Sequence, residues 1–338
     1  MDLIFLMCTE RCGSNLLTRM MDAHPEVAGP PPTHAFRTFS QNLLRYSDLS
    51  RDEHWLDLTR DLADLLANQL GAWKTTAPAA EIRALAHERS LAAALRFVYE
   101  REALAHGKRA LFIKENQTYR FLPYLLQAFP GARFVYLVRD PRDMALSYTL
   151  SPNHPGDVRE GARIWRRDQE QAIACYGFLK PFGRIHLLRY EDLIAAPETE
   201  LCKVCAFLGL PFSEAMLRFH EEPSTRVNAA RLRDWENLSR PVMSQNKRKY
   251  RAALSEAEIR CVEGICRTEM EILSYPLEYQ RSEPVPAEAV LETGPTPDAP
   301  DAPDASEASE APAEGREAEI RARRIEILNR ILSRPRVP

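Results

Sequence analysis

The sequence predicts an α/β fold, a parallel sheet flanked by helices, on three observations. Short apolar runs alternate with amphipathic stretches along most of the chain, the pattern of strands joined by crossover helices. The run Leu3 to Met7 passes through the polar turn Thr9-Glu10-Arg11-Cys12-Gly13-Ser14-Asn15 into a helical stretch from about Ser14 to Ala23. Arg133 to Val138 behaves the same way, ending at Arg139 with Asp140-Pro141 opening the next helix; proline's fixed φ suits the first helical turn.

Further strands are expected at Ala110 to Lys114 and Arg184 to Arg189, which makes four parallel strands a minimum. Between them, Asp57 to Leu70 carries Leu58, Leu62, Leu65, Leu66 and Leu70 at helical spacing, and Arg89 to Ala105 is similarly periodic. Asp157 to Leu179 sets Ile164, Trp165, Ile173 and Tyr176 into a charged helix, and Pro197 to Leu208 starts on proline and stops at Gly209. Ser255 and Glu258 stand in capping-box register at the head of a last domain helix reaching Leu273. The periodic core ends near Tyr279, so residues 1–280 are expected to form one domain.

Residues 282–315 hold nine Asp/Glu and no Lys/Arg, amid Pro and Ala in near repeats. Such a stretch has no apolar surface to offset its ordering entropy, and 281–315 is expected to be a disordered tether. Residues 316–338 reverse the charge, with seven Arg against three Glu. Ile320, Ile325, Leu328, Ile331 and Leu332 fall largely on one face there, predicting a short basic amphipathic helix. It would either fold back onto the domain or dock on an acidic partner or an anionic membrane surface.

At 338 residues and 45% hydrophobic, the chain is long enough for a large buried core. The net charge of −3 removes any reason to expect a polybasic nucleic-acid binder. Seven cysteines, an odd and sparse set, do not make a disulfide framework and fit a reducing compartment. The first apolar run is too short for a signal peptide or a membrane span. The expected setting is cytoplasmic.

The turn at residues 9–15 has the anatomy of an anion-binding loop, because free backbone N–H groups at a helix N-terminus point at whatever anion sits there. It is not a Walker A loop: it has one glycine, and its cation, Arg11, precedes that glycine. Alone, Arg-x-Gly-Ser fits an ordinary tight turn as well. Arg139 and Ser147, eight residues apart on strand end and helix, would both face an anion in the crevice of an open sheet, unless Arg139 and Asp140 form a structural ion pair. Cys12, beside Arg11 at a helix N-terminus, is expected to have a lowered thiol pKa. Cys202 and Cys205 share one helix and read as core thiols, and His24 and His220 as surface residues.

Together the two segments resemble the cofactor signatures of the sulfotransferases that use 3′-phosphoadenosine 5′-phosphosulfate (PAPS). Their Arg-x-Gly-Ser form looks like the carbohydrate and bacterial branches. The resemblance implies that Arg11, Cys12, Gly13, Ser14 and Asn15 cradle the 5′-phosphosulfate and that Arg139 and Ser147 bind the 3′-phosphate. Arg189-Tyr190-Glu191-Asp192-Leu193, Pro197 and Phe207-Leu208-Gly209-Leu210-Pro211-Phe212 are similar to the family's downstream segment, which places Tyr190 near the adenine nucleotide. Roughly residues 1–279 are covered, and a P-loop-like doubly wound sheet with helical insertions is implied. The basic run Asn246-Lys247-Arg248-Lys249-Tyr250 lacks the family's Arg-Lys-Gly signature, so no residue is carried over there.

Sulfuryl transfer needs a cation on the leaving oxygen, a base on the acceptor and a clamp on the nucleotide, and requires no metal. Arg11 and Lys114 are the candidate cations. His34, in Gly29-Pro30-Pro31-Pro32-Thr33-His34, is the first candidate base, with Glu115 the alternative. The acceptor would carry a hydroxyl or amine on a glycan, lipid or small alcohol. A small-molecule kinase and a non-enzymatic nucleotide sensor are the competing readings. Trp55, Trp73 and Trp165 would stack on an acceptor or sit in the core. Residues 282–338 are expected to be dispensable for transfer and to serve recruitment.

Overall fold

A computed structural model describes residues 1–85, 88–151, 156–230, 233–279 and 315–336. Residues 281–314 of the expected tether lie outside the described residues. Five parallel strands, β1 (Asp2–Cys8), β2 (Val27–Ala28), β3 (Ala110–Lys114), β4 (Arg133–Val138) and β5 (Ile185–Arg189), form one sheet in the order β2-β3-β1-β4-β5. The chain leaves β1 toward β2 and β3 on one side and returns to β4 and β5 on the other. The turns after β1 and β4 therefore diverge at the point where doubly wound sheets open a ligand crevice.

Residue alternation on β1 shows why both faces are covered. Leu3, Phe5 and Met7 enter one core and Ile4, Leu6 and Cys8 the other, and all six are buried, as a parallel sheet requires. The flanking helices are α1 (Ser14–Asp22), α2 (Ala35–Asn42), α3 (Asp52–Ala67), α4 (Ala79–Leu85), α5 (Leu91–Ala105), α6 (Leu122–Ala128) and α7 (Pro141–Thr149). They continue with α8 (Val158–Leu179), α9 (Tyr190–Ala195), α10 (Pro197–Leu208), α11 (Pro223–Ala229), α12 (Tyr250–Ala253), α13 (Glu256–Ile272) and α14 (Arg316–Leu332). Side chains cap several starts: Ser90 on α5, Asp140 on α7, Asp157 on α8, and the full Ser255/Glu258 box on α13.

Some expectations are corrected. The edge strand β2 was not foreseen, since two residues carry no period. The leucine-rich helix starts at Asp52, five residues before the expected Asp57. His24 is no surface residue: it is fully buried, with Nε2 2.8 Å from the Pro211 carbonyl and Nδ1 accepting from the Glu26 amide. Cys205 is a core thiol, but Cys202 is exposed. Trp55 and Trp165 are buried core residues.

The largest departure is α14. Its apolar stripe runs Ile320, Arg324, Ile327, Ile331, and it packs against α3 with Ile327 and Ile331 inside the main core. Ile325, assigned to that face from the sequence, points outward at 37% exposure. Arg330 pairs with Asp61 at 2.7 Å and Asp64 at 2.6 Å, and Arg334 with Asp57 and Asp61. Arg45 donates to the carbonyls of Leu332 and Arg334 at 2.9 and 2.8 Å. The helix spends its apolar face on the domain, the first of the two expectations for it.

Candidate active site

The turn after β1 is built to bring backbone close to an anion. Arg11 and Gly13 both have positive φ, 60° and 91°, and α1 begins at Ser14 without a side-chain cap, so its first N–H groups remain available. A Cβ on Gly13 would lie 2.3 Å from the Tyr190 ring, so glycine is required by space as well as by conformation. Cys12 differs from expectation. Its thiol is buried in the core beside Cys8, and burial pushes its pKa well up, the opposite of activation. Cys12 can offer a ligand its backbone only.

The two segments meet. Arg11 Nε donates to Ser147 Oγ on α7 at 3.2 Å, and Arg139 Nη1 donates to the Arg11 carbonyl at 2.9 Å. Arg139 also stacks over the Tyr190 ring, 4.7 Å from its centroid, and its buried Nε has no hydrogen-bond partner among the described residues. The alternative ion pair is excluded: Asp140 is held by Arg142, at 2.9 and 2.6 Å, which in turn reaches Glu263 at 2.6 Å. Trp165 fixes the strand end by donating to the Arg139 carbonyl at 2.9 Å.

Asn246, carried over from no motif, joins this wall, donating to Tyr190 Oη at 2.7 Å. Asp143 on α7 accepts the amides of Arg248 and Tyr250, so the basic run 246–250 is stapled beside Arg139 and Tyr190. The sequence signal was the basic run itself; its placement depends on Asp143, a contact more than a hundred residues away.

Across the crevice, Lys114 ends β3 next to Leu6 of β1, and its Nζ donates to Asn15 Oδ1 at 2.6 Å. Glu115 follows it, buried beside a water-sized void of about 10 Å³ lined by Pro30, Pro31, Thr33, Trp73, Tyr99 and Lys114. Thr33 Oγ1 donates to Glu115 Oε1 at 2.9 Å, while the buried Oε2 has no hydrogen-bond partner. Burial pushes the Glu115 carboxyl up to about 7 against the pull of the Thr33 hydroxyl, Arg37 and Arg324. His34 is half-buried with φ of 60° at the head of α2. Trp73 is neither fully core nor free: its Nε1 donates to the Pro31 carbonyl at 2.8 Å.

A family model for the sulfotransferase family matches residues 3–214, and a second, for the sulfotransferase domain, matches residues 165–271. Protein-tyrosine sulfotransferase of Drosophila melanogaster is 28% identical over 251 residues, covering 72% of this chain and 45% of that protein. Carbohydrate sulfotransferase 6 of Homo sapiens is 27% identical over 330 residues, covering 83% and 82%. The chain spans about half the length of the tyrosine sulfotransferases that it matches. In fold it is similar to the sulfotransferase domain from the curacin biosynthetic pathway, with a TM-score of 0.57 at 22% identity over 82% of this chain and 98% of that one. The match of residues 3–214 takes in the turn after β1, the β4–α7 segment and Tyr190 alike, and on it the chain belongs to the sulfotransferase family.

Proposed function

We propose that this chain transfers the sulfuryl group of PAPS to a hydroxyl or amine of an acceptor. The observation that carries the reading is the convergence of Arg11, Ser147, Arg139 and Tyr190 at the switch point of the sheet. The free amides of α1 and Arg11 hold the 5′-phosphosulfate, Arg139 and Ser147 the 3′-phosphate, and Tyr190 with Asn246 flanks the nucleoside. In the reaction the acceptor oxygen or nitrogen forms a bond to sulfur as the bond from sulfur to the 5′-phosphate oxygen breaks. That oxygen keeps the electron pair, leaving as 3′-phosphoadenosine 5′-phosphate (PAP). Arg11 and Lys114 balance the charge it gains.

The acceptor proton goes to Glu115 or His34. Glu115 is favoured by its place next to Lys114 and a pKa of about 7, suited to accepting a proton at neutral pH. The odd and sparse set of seven cysteines fits a reducing, cytoplasmic setting. No described helix is long and apolar enough to cross a membrane.

The reading is tested by melting the protein with PAP in the presence of chelator, and by following PAPS turnover with a labelled donor. PAP is expected to raise Tm without magnesium. Stabilisation by ATP with magnesium, and none by PAP, would place the chain among phosphotransferases instead. Arg139→Ala is expected to raise KM for PAPS by about 10–100-fold, the worth of a charged hydrogen bond, with kcat nearly unchanged. Gly13→Ala should weaken PAP binding by about 10–100-fold, because the new Cβ meets Tyr190 and strains the turn by ~1–3 kcal/mol; calorimetric titration with PAP reads this directly.

A further inference from the structure

We infer that Arg324, on the C-terminal helix α14, is a positioning residue of the acceptor side: it holds the Thr33 turn and sets a fixed positive charge toward Glu115. This inference rests on the reading of Glu115 as the base.

Arg324 occupies a stripe position where helical spacing calls for an apolar residue, between Ile320 and Ile327, and it is 2% exposed. Burying a guanidinium is costly unless its donors and charge are both answered. The donors are answered by two carbonyls from separate segments, Thr33 at 3.0 Å and Asn68 at 3.1 Å. The charge of Arg324 also acts on Glu115, whose ionised form it favours together with the Thr33 hydroxyl and Arg37. Thr33 is thus gripped from both ends, its carbonyl by Arg324 and its hydroxyl by Glu115.

The helix has other attachments besides this residue. Ile327 and Ile331, the Arg330 and Arg334 ion pairs and the bonds from Arg45 already attach α14 to α3 and its surroundings. An arginine driven into the core beside the candidate base has a job that anchoring leaves unexplained. The other groups around Glu115 are Arg37 from α2, the Thr33 hydroxyl from the preceding turn, Tyr99 from α5 and Lys114 before it on β3. Of the cations, Arg37 and Arg324 both favour the ionised carboxylate, and Arg324 also donates to the Thr33 carbonyl.

The test uses the full chain with Arg324→Gln and Arg324→Lys. Glu115 is titrated directly, as the protonated-carboxyl infrared band that Glu115→Gln removes. In the wild type the midpoint is expected near 7. Arg324→Gln should move it up, since a nearby cation favours the ionised carboxyl, and Arg324→Lys should restore most of the shift. The acid limb of PAPS turnover should move with the band, while PAP-induced stabilisation stays as in the wild type.

An unmoved carboxyl band in Arg324→Gln overturns the inference while leaving the base reading intact. A band that shifts without the turnover limb following overturns the base reading, and with it the positioning role. Should Arg324→Gln fail to fold, Arg324→Lys carries the test through the Thr33 turn. Loss of the two-carbonyl fork should then speed amide hydrogen exchange at residues 33–35, and wild-type exchange there overturns the inference.

Discussion

Replacing Arg11 with alanine is expected to cut kcat at saturating PAPS by about 10²–10³-fold, the loss found when a preorganised donor to developing charge is removed. The ground-state phosphosulfate anhydride spreads its charge, whereas in the transition state the bridging oxygen gains it, so a cation at that oxygen acts mainly on kcat. Arg11 is fixed for this purpose: its backbone sits at φ 60° in the turn, its carbonyl is held by Arg139 and its Nε by Ser147. PAP binding, supported by α1 and Arg139 as well, should weaken far less. Single-turnover release of PAP with a parallel PAP melt separates the two. A variant that loses PAP binding and turnover in equal measure would make Arg11 a binding residue only.

Glu115→Gln is expected to lower PAPS turnover by about 10²–10⁴-fold, the typical worth of a general base, and to erase the acid limb near pH 7. The same substitution should stabilise the protein in alkali. The folded pKa of Glu115, about 7, lies above the ordinary carboxylate value. The folded state therefore holds the proton more tightly than the unfolded chain, and wild-type stability falls as pH rises through that range. Glutamine has no charge to bury. Its Tm should match the wild type near pH 5 and exceed it near pH 8, so that activity and stability move in opposite directions. If His34→Gln erases the limb and Glu115→Gln leaves it, the base is His34.

The nucleotide side was legible because its signals are local. A strand, an Arg-x-Gly-Ser turn and a helix are contiguous in residues 3–22, and Arg139 and Ser147 lie on one strand–helix junction, so spacing alone brings each set to the crevice. The surroundings of Glu115 were less legible because they are assembled from distant pieces: the proline-rich turn at Thr33, Tyr99 on α5, Trp73 in a loop and Arg324 on α14. Environment also reversed two chemical expectations that sequence position had favoured. Proximity to Arg11 and a helix N-terminus argued for an acidic Cys12 thiol, but complete burial outweighs both. His24 looked exposed between Ala23 and Pro25, yet the α1–β2 turn folds it inward against Pro211.

The hydrogen bond from Arg324 to Thr33 spans 291 positions of the chain, which gives the protein a timetable. Domains form from the N-terminus during synthesis, at about 5–20 residues per second. Every residue assigned to gripping PAPS, Asn246 included, has been made by the time Tyr279 emerges, whereas Arg324 comes later in the chain. The donor-side residues are thus made before the arginine that ties down the Thr33 turn.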